Sequence, residues 1–181
     1  MKNKIQFLNL GKHPITNNFL TKKNPKNEYF YNLKLIFHKS TKLISLAKFV
    51  PPKKMFNEKY AHRASASKTM SLAYSTLAKS IKTRFKPKSI LEIGSNDGVF
   101  IKHFKKIKNL GVEPCKNLAK ITNKIGIKTY DEFWTNKTAK KIVRQNGKID
   151  VIYSANTISH IHNLSETFEA INYTLSDNGV F

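Results

Sequence analysis

The chain has 181 residues, 40% of them hydrophobic, enough for one ordinary domain or for a small module followed by part of a larger one. No run of eighteen apolar residues occurs, so we expect no transmembrane span, and the basic N-terminus lacks the apolar stretch of a signal peptide. A single cysteine, Cys115, excludes an internal disulfide framework and a multi-cysteine metal site, and a cytoplasmic location is the default expectation.

The formal charge of +22 is concentrated at the front of the chain. Residues 1–86 carry 19 lysines and arginines against two acids, and residues 87–181 carry 14 against nine. Such a front half suits nucleic acid, an anionic membrane or a phosphorylated substrate. Only three basic residues are arginines, however, and phosphate and base readers usually use arginine for bidentate contacts. We therefore interpret the charge as a compositional drift towards lysine, and expect no specific nucleic-acid partner and no membrane partner.

The first zone, residues 1–54, contains two β-rich runs, 29–37 and 42–50, joined by residues 38–41. Apolar and more polar positions alternate in the first run, as in a half-buried strand, and residues 51–52, both proline, stop the second. The zone is predicted to be a small β-hairpin module.

The second zone, residues 55–88, is predicted to be a helical connector. Either Ser65 or Ser67 can cap a helix, and Pro87 ends it. Apolar residues follow the cap at helical spacing: Met70, Ala73, Leu77 and Ile81.

The third zone, residues 89–181, alternates strand and helix. The predicted strands are 89–93, 109–113, 127–130 and 150–154, with a fifth beginning at Val180 after a turn at Asn178 and Gly179. The predicted helices are 99–108, one starting at Pro114, 131–145 and 164–175. This alternation predicts a parallel sheet with helices on both faces.

The strongest chemical motif is residues 92–98 (EIGSNDG), which leave a buried strand and open a helix. Gly94 and Gly98 allow a tight turn and close approach of the backbone to a ligand. No Lys-Ser/Thr follows the second glycine, so the motif is not a P-loop. Glu113 ends the next strand 21 residues after Glu92, a spacing that suits a carboxylate binding both hydroxyls of a ribose. The alternative is a plain strand–helix turn with an incidental acid.

Glu92 distinguishes between two ribose-containing cofactors. An acid inside the strand, just before the first glycine, would repel the pyrophosphate of a dinucleotide. It suits a cationic sulfonium and ammonium ligand instead. The residues therefore favour S-adenosylmethionine over NAD, with Glu92, Gly94, Ser95, Asn96, Gly98 and Glu113 as the candidate cofactor-binding residues.

Several segments, in this order, resemble the sugar C-methyltransferases that act on nucleotide-linked keto-sugars. In the third zone they are residues 95–98 (SNDG), 111–114 (GVEP) and 155–160 (ANTISH). Upstream they are residues 9–20, 37–46 and 60–70. The resemblance covers nearly the whole chain. It implies an α/β fold, a Rossmann-like class I methyltransferase sheet over 89–181, preceded by the small module of 1–54 and the helical connector of 55–88.

The resemblance also implies features that this sequence lacks. The family's N-terminal module binds zinc through cysteines, but His38 and Thr41 stand where a cysteine pair is expected, so no metal site is predicted. The family's remaining strands, its C-terminal domain and a segment rich in Glu and His would lie beyond Phe181. We therefore expect an incomplete sheet and weak cofactor binding without efficient turnover, with a partner chain as one way to supply the missing half.

The resemblance further suggests residues for the substrate side of the site. His160 follows the fourth strand, at the carboxyl edge where open α/β sheets bind ligands, and is the best candidate base; the alternative is a capping or surface histidine beside His162. Tyr60 matches a family tyrosine near the substrate, although a core aromatic fits equally well. Asn156 could orient the cofactor's amino-acid portion and Phe133 could stack on adenine, with simple packing as the alternative for both.

These observations predict a methyltransferase that acts on a nucleotide-linked keto-sugar or a related small molecule. The competing hypotheses are a non-catalytic cofactor-binding or interaction module, a methyltransferase for another small acceptor, and a basic nucleic-acid-binding protein.

Overall fold

A computed structural model describes residues 3–16, 18–19 and 28–181, and the chain divides into two units, Met1–Ala61 and His62–Phe181. None of the helices in these ranges has both the length and the apolar character needed to cross a bilayer.

The N-terminal unit contains a three-stranded antiparallel sheet of β1 (Lys4–Pro14), β2 (Phe30–His38) and β3 (Ile44–Leu46), in that order. The predicted hairpin corresponds to β2 and β3, although β3 is much shorter than the predicted run. The turn closes through two backbone bonds, from Lys42 to His38 and from His38 to Leu43. A short helix, α1 (Pro52–Met55), follows the sheet and begins at a proline, which suits a first helical turn.

Strand β1 was not predicted from the sequence. Its pairing with β2 shifts register twice, and Gly11 adopts a left-handed φ of +78° between the shifted pairs. Nearly all of its residues are exposed. A strand that buries neither face leaves no regular alternation of apolar and polar residues to detect.

The C-terminal unit opens with α2 (Lys68–Phe85). Of the two candidate caps, Ser67 is the N-cap, because its side chain accepts the N–H of Met70. The buried face of the helix consists of Tyr74, Ala78 and Ile81. The predicted core position Ala73 is exposed, one residue away from the true face.

Five parallel strands form the sheet of this unit: β4 (Ser89–Ile93), β5 (Lys108–Val112), β6 (Lys128–Tyr130), β7 (Ile149–Ser154) and β8 (Leu175–Val180). Their spatial order is β6-β5-β4-β7-β8, so the chain reverses direction across the sheet between β4 and β7. The predicted α/β, Rossmann-like class I methyltransferase sheet is confirmed. Ligands of open α/β sheets bind at such a reversal, outside the carboxyl ends of the strands.

Both faces of the sheet are covered. On one face, α4 (Asn136–Asn146) and α5 (Leu164–Thr174) cover a cluster that includes Leu91 and Ile93 of β4. On the other face, Ile90 packs in a cluster with Phe100 and the buried residues of α2. The remaining helix, α3 (Lys116–Lys124), follows β5. Alternate residues of β4 therefore supply two cores, as expected for a strand buried on both faces.

Most predicted elements of this unit agree with the structure to within one or two residues, and three differ by more. The predicted helix 99–108 is a single 3-10 turn, Ile101–Phe104, because Val99, Phe100 and Ile101 are all buried and three consecutive residues cannot share one face of an α-helix. The helix predicted from residue 131 begins at Asn136, where Thr135 caps it. The final strand begins at Leu175 rather than Val180, and bulges because Leu175 pairs with Ile149 while Val180 pairs with Val151.

Candidate functional site

The predicted glycine loop leaves the carboxyl end of β4, at the reversal point of the sheet. Gly94 and Gly98 have φ values of +75° and +79°, in the left-handed region where glycine is strongly preferred. The N–H groups of Gly94 and Ser95 both donate to the carbonyl of Val112, which ties the loop to the end of β5. The loop thus has the tight turn that the sequence predicted.

Gly94 is also a point of close approach. A Cβ built on it would lie 2.8 Å from Cγ2 of Thr157 and 2.9 Å from its Cβ. Thr157 belongs to the segment that follows β7, so this segment rests directly on the glycine loop. Glycine is required at position 94 for both its backbone angle and its missing side chain.

Glu113 stands immediately after β5, as the spacing predicted. Its side chain is buried, and each carboxylate oxygen accepts one backbone N–H at 2.8 Å: Oε1 from Cys115 and Oε2 from Asn96. Burial raises the pKa of Glu113, while these hydrogen bonds lower it. Each oxygen keeps accepting capacity for a further donor. The carboxylate is therefore held in one orientation beside the loop, as a ribose-binding acid must be.

Glu92 is a buried acid whose hydrogen bonding is incomplete. It is only 4% exposed, and its Oε2 atom has no hydrogen-bond partner among the described residues. Burial raises the pKa of Glu92 well above its ordinary value, and the negative charges of Glu113 and Asp97 add to that rise. A hydrogen bond from the backbone of Ile101 opposes it.

The carboxyl groups at this site also raise the pKa values of two nearby tyrosines. Burial raises the pKa of Tyr74, with further contributions from Glu92 and Asp97, and burial together with Tyr74 and Glu92 raises the pKa of Tyr153 to about 12. A buried group of carboxyl and phenol side chains with an orphaned oxygen fits a cationic ligand. The residues present therefore fit S-adenosylmethionine, whose sulfonium and ammonium groups are positively charged.

Ser95 and Asn96, both predicted cofactor residues, differ in their surroundings. Ser95 is buried, and its Oγ has no hydrogen-bond partner among the described residues. Asn96 has φ +49°, and its side chain bonds its own neighbour Asp97 and the segment that precedes α2. The Asn96 side chain is thus committed to protein contacts, while its backbone N–H supports Glu113.

The candidates after β7 lie at the same edge of the sheet. His160 is exposed and ends a 3-10 turn, Ile158–His160, and its N–H donates to the carbonyl of Thr157. Asn156 is exposed with φ +52°. Thr157 of the same segment touches Gly94 of the glycine loop. Their roles in catalysis and cofactor binding stay predictions.

The positions of the remaining two candidates, Phe133 and Tyr60, say less about a role in the site. Phe133 is half-buried in the loop between β6 and α4, where its carbonyl accepts the hydroxyl of Thr138. Tyr60 lies in the N-terminal unit, with its ring centroid 5.6 Å from that of Phe56. Stacking of Phe133 on adenine and a substrate role for Tyr60 stay predictions.

Sequence reasoning missed three residues of the site: Asp97, Ser65 and Thr157. Asp97 is buried, and it accepts the hydroxyl of Ser65 at 2.6 Å. An acid inside a glycine loop was a detectable signal, since a buried carboxylate needs donors. The contact between Thr157 and Gly94 has no sequence signal, because it joins two loops 63 residues apart.

The N-terminal unit does not fit a structural zinc ion. Residues 1–56 contain no cysteine and two histidines, His13 and His38. His13 pairs with Tyr31 near one end of the β1–β2 ladder, and His38 pairs with Lys4 at the other, on the order of 20 Å away at the usual rise per strand residue. The described residues show no cluster of metal-binding side chains. The prediction of no metal therefore rests on the lack of a suitable set of ligand side chains in residues 1–56.

Two family descriptions match the chain. "Methyltransferase domain" matches residues 60–181, and "Putative zinc binding domain" matches residues 1–56. The chain is 27% identical over 94 residues to the C-methyltransferase NovU of Streptomyces niveus, a match that covers 51% of this chain and 22% of that protein. The chain thus spans well under two thirds of the curated relative it matches.

Solved structures of methyltransferases align with the chain more loosely. The plantazolicin methyltransferase BamL, in complex with a triazolic desmethylPZN analog and SAH, is 20% identical, with a TM-score of 0.49 over 61% of this chain and 44% of that one. A SAM-dependent methyltransferase from Archaeoglobus fulgidus is 16% identical, with a TM-score of 0.49 over 58% and 48%. DesVI of Streptomyces venezuelae is 16% identical, with a TM-score of 0.45 over 60% and 48%. These likenesses are too weak to bear on the substrate.

Proposed function

Since the chain belongs to the methyltransferase domain family, with S-adenosylmethionine as its cofactor, we propose that it transfers a methyl group to a carbon atom of a nucleotide-linked keto-sugar. The observation that carries the proposal is the contact between Gly94 and Thr157. His160 follows Thr157 by three residues, and its N–H bonds the carbonyl of Thr157, which supports His160 as the candidate base. The local match to a C-methyltransferase supports carbon as the methylated atom.

Each part of the cofactor has a candidate partner in this chain. Glu113 would accept the ribose hydroxyls, and the buried carboxyl of Glu92 would face the cationic portion. Gly94 and Gly98 would give the loop the left-handed turns that hold its backbone beside the ligand. Asn156 would orient the amino-acid portion.

The chemistry requires a carbon nucleophile. The cofactor supplies a methyl group that is attached to a positively charged sulfur and is therefore electrophilic. A ring nitrogen of His160 would take the proton from the carbon beside the sugar ketone, so that the C–H electron pair becomes an enolate. S-adenosylmethionine, which Glu92 and Glu113 would hold, would supply the methyl group to this enolate carbon, and the electron pair of the broken S–CH₃ bond would stay on sulfur. The protein must hold the reacting atoms close together and exclude water.

The base can be tested separately from methyl transfer. The chain is incubated in D₂O with S-adenosylhomocysteine and a panel of keto-sugar nucleotides, and deuterium is measured at the carbon beside the ketone. We expect incorporation that falls by about a hundredfold or more in His160→Ala. His162→Ala, two residues away, is the matched control and should exchange at the wild-type rate.

A labelled-methyl assay with the same panel completes the experiment. Equal exchange by wild type and His160→Ala would exclude His160 as the base. Cofactor binding without exchange on any keto-sugar nucleotide would instead favour the non-catalytic module or another acceptor.

A further inference from the structure

Two adjacent loop residues, Asn96 and Asp97, bind the segment His62–Ser65 through their side chains. Asn96 donates from Nδ2 to the carbonyl of His62 at 3.2 Å and accepts the N–H of Ala64 at 2.9 Å. Asp97 accepts the hydroxyl of Ser65 at 2.6 Å and its N–H at 3.3 Å. Together, these contacts form what we call the 62–65 clasp.

The clasp is built from groups that are costly to leave unpaired. Asp97 is 7% exposed, so its carboxylate depends on the Ser65 donors for much of its stabilisation. Ala64 is 8% exposed and packs in the core cluster that contains Tyr74 and Phe100. The side-chain amide of Asn96 donates to one backbone group and accepts from another, one on each side of Arg63, as the backbone of a neighbouring strand would.

Asn96 joins the clasp to the cofactor acid. Its backbone N–H donates to Oε2 of Glu113 at 2.8 Å, while its side chain holds residues 62 and 64. A left-handed φ of +49° allows the backbone and the side chain to point at these two partners. Asn96 therefore connects Glu113 directly to the segment before α2, so a shift of Glu113 would also move that segment.

We infer that Asn96 and Asp97 are positioning residues that couple the placement of His62–Ser65 to cofactor binding at Glu113. The inference rests on the proposed function, because the cofactor is what Glu113 binds. The clasp makes the segment before α2 part of the cofactor site, and an occupied site holds that segment in place.

Asn96→Gly is the sharpest variant. It removes every side-chain bond of Asn96, keeps the backbone N–H to Glu113, and retains the left-handed φ without strain. Ser65→Ala is a milder second variant at an exposed position, which removes the hydroxyl from Asp97 without changing any charge. Ser67→Ala is the matched control: it removes the N-cap of α2, two residues along, and leaves the clasp intact.

Two quantities are measured: the Kd for S-adenosylhomocysteine by calorimetry, and amide hydrogen exchange of residues 62–67 with and without that ligand. We expect the ligand to slow exchange at Ala64 and Ser65 in the wild type. The Kd should rise about tenfold in Asn96→Gly and several-fold in Ser65→Ala, with faster exchange at both amides, and stay within about twofold in Ser67→Ala.

Each other result is informative. Wild-type Kd values in both clasp variants, with faster exchange at Ala64 and Ser65, would show that the clasp is structural only and overturn the coupling. A fall in thermal stability without a change in Kd would do the same. Failure of the wild type to bind S-adenosylhomocysteine would instead refute the proposed function itself, and the coupling with it.

Discussion

Among single residues, Glu92 gives the strongest electrostatic indication of a cationic ligand. The sequence placed an acid where a pyrophosphate would have to come close. The structure shows that this acid is buried with one oxygen unpaired and close to two further carboxylates. Such surroundings favour the protonated form of the acid, and a bound cation would favour the carboxylate.

The protonation of Glu92 predicts a pH dependence of stability. Between the ordinary carboxyl pKa, roughly 4.3, and the raised one, the folded state holds a proton that the unfolded state has lost, so stability falls as pH rises through this window. Glu92→Gln removes this contribution, and we expect a flatter dependence of the unfolding free energy on pH. Urea unfolding of the ligand-free chain at a series of pH values measures it. Parallel curves for the two proteins would contradict the raised pKa.

Gly94 gives a second prediction at this scale. Gly94→Ala combines a strained backbone angle with overlap against Thr157, whereas Gly126→Ala has a similar φ of +82° and open space around the added methyl. We expect Gly126→Ala to cost about 1 kcal/mol of unfolding free energy and Gly94→Ala to cost about 1–3 kcal/mol more. Chemical denaturation of the two variants provides the comparison. Equal losses would show that Thr157 moves freely away from Gly94.

Some site residues were predictable from sequence and others were not. The place of Glu113 at the end of the second strand was, because it follows from the spacing between the glycine loop and the next acid. The role of the Asn96 side chain was not, because its partners lie 32 and 34 residues away in a segment with no regular pattern. Ser65 looked like a helix cap because the same residue types cap helices and bind buried carboxylates.

At the scale of elements, the buried strands were predicted best. The bounds of β4 were predicted without error, since Ile90, Leu91 and Ile93 directly precede the glycine loop and mark a buried strand. The loop after Gly98 was predicted worst. Its apolar residues suggested a helix, but in the structure the ring of Phe100 packs against both Tyr74 and Tyr153. Tertiary contacts decided this segment, and its local sequence does not record them.

The end of α2 offers a test of helix capping. Lys86 ends the helix with φ +44° and ψ +48°, a left-handed conformation that disfavours a lysine and suits glycine. We expect Lys86→Gly to raise the unfolding free energy by about 0.5–1 kcal/mol. Thermal or urea unfolding of the variant measures the change. A clear loss of stability would show that the lysine side chain contributes more than its backbone strain costs.

At the scale of the whole molecule, the dominant property is positive charge. In the C-terminal unit, a cavity of about 270 Å³ at the amino-terminal side of β4 and β5 is lined by Lys82, Lys86, Lys106 and His103. This side of the sheet is opposite the carboxyl ends that hold the glycine loop. The cavity lining contains lysine but no arginine, in keeping with the composition of the chain.

The lysine-dominated surface predicts weak and unselective binding of polyanions. We expect any affinity for DNA or RNA to be independent of sequence and to fall by roughly a thousandfold between about 50 and 200 mM salt. Fluorescence anisotropy with several unrelated oligonucleotides across this range measures it. Sequence-selective binding that persists at physiological salt would revive the nucleic-acid hypothesis.

We propose that S-adenosylmethionine binds where β4 and β5 end, against Glu92 and Glu113. Calorimetry with S-adenosylmethionine and with NAD, on wild type, Glu113→Gln and Glu113→Ala, tests it most directly. We predict one site per chain for S-adenosylmethionine, no binding of NAD, and a Kd raised about tenfold or more when the Glu113 carboxylate is lost. Equal affinity in wild type and both variants, or a preference for NAD, would contradict this assignment of the cofactor site.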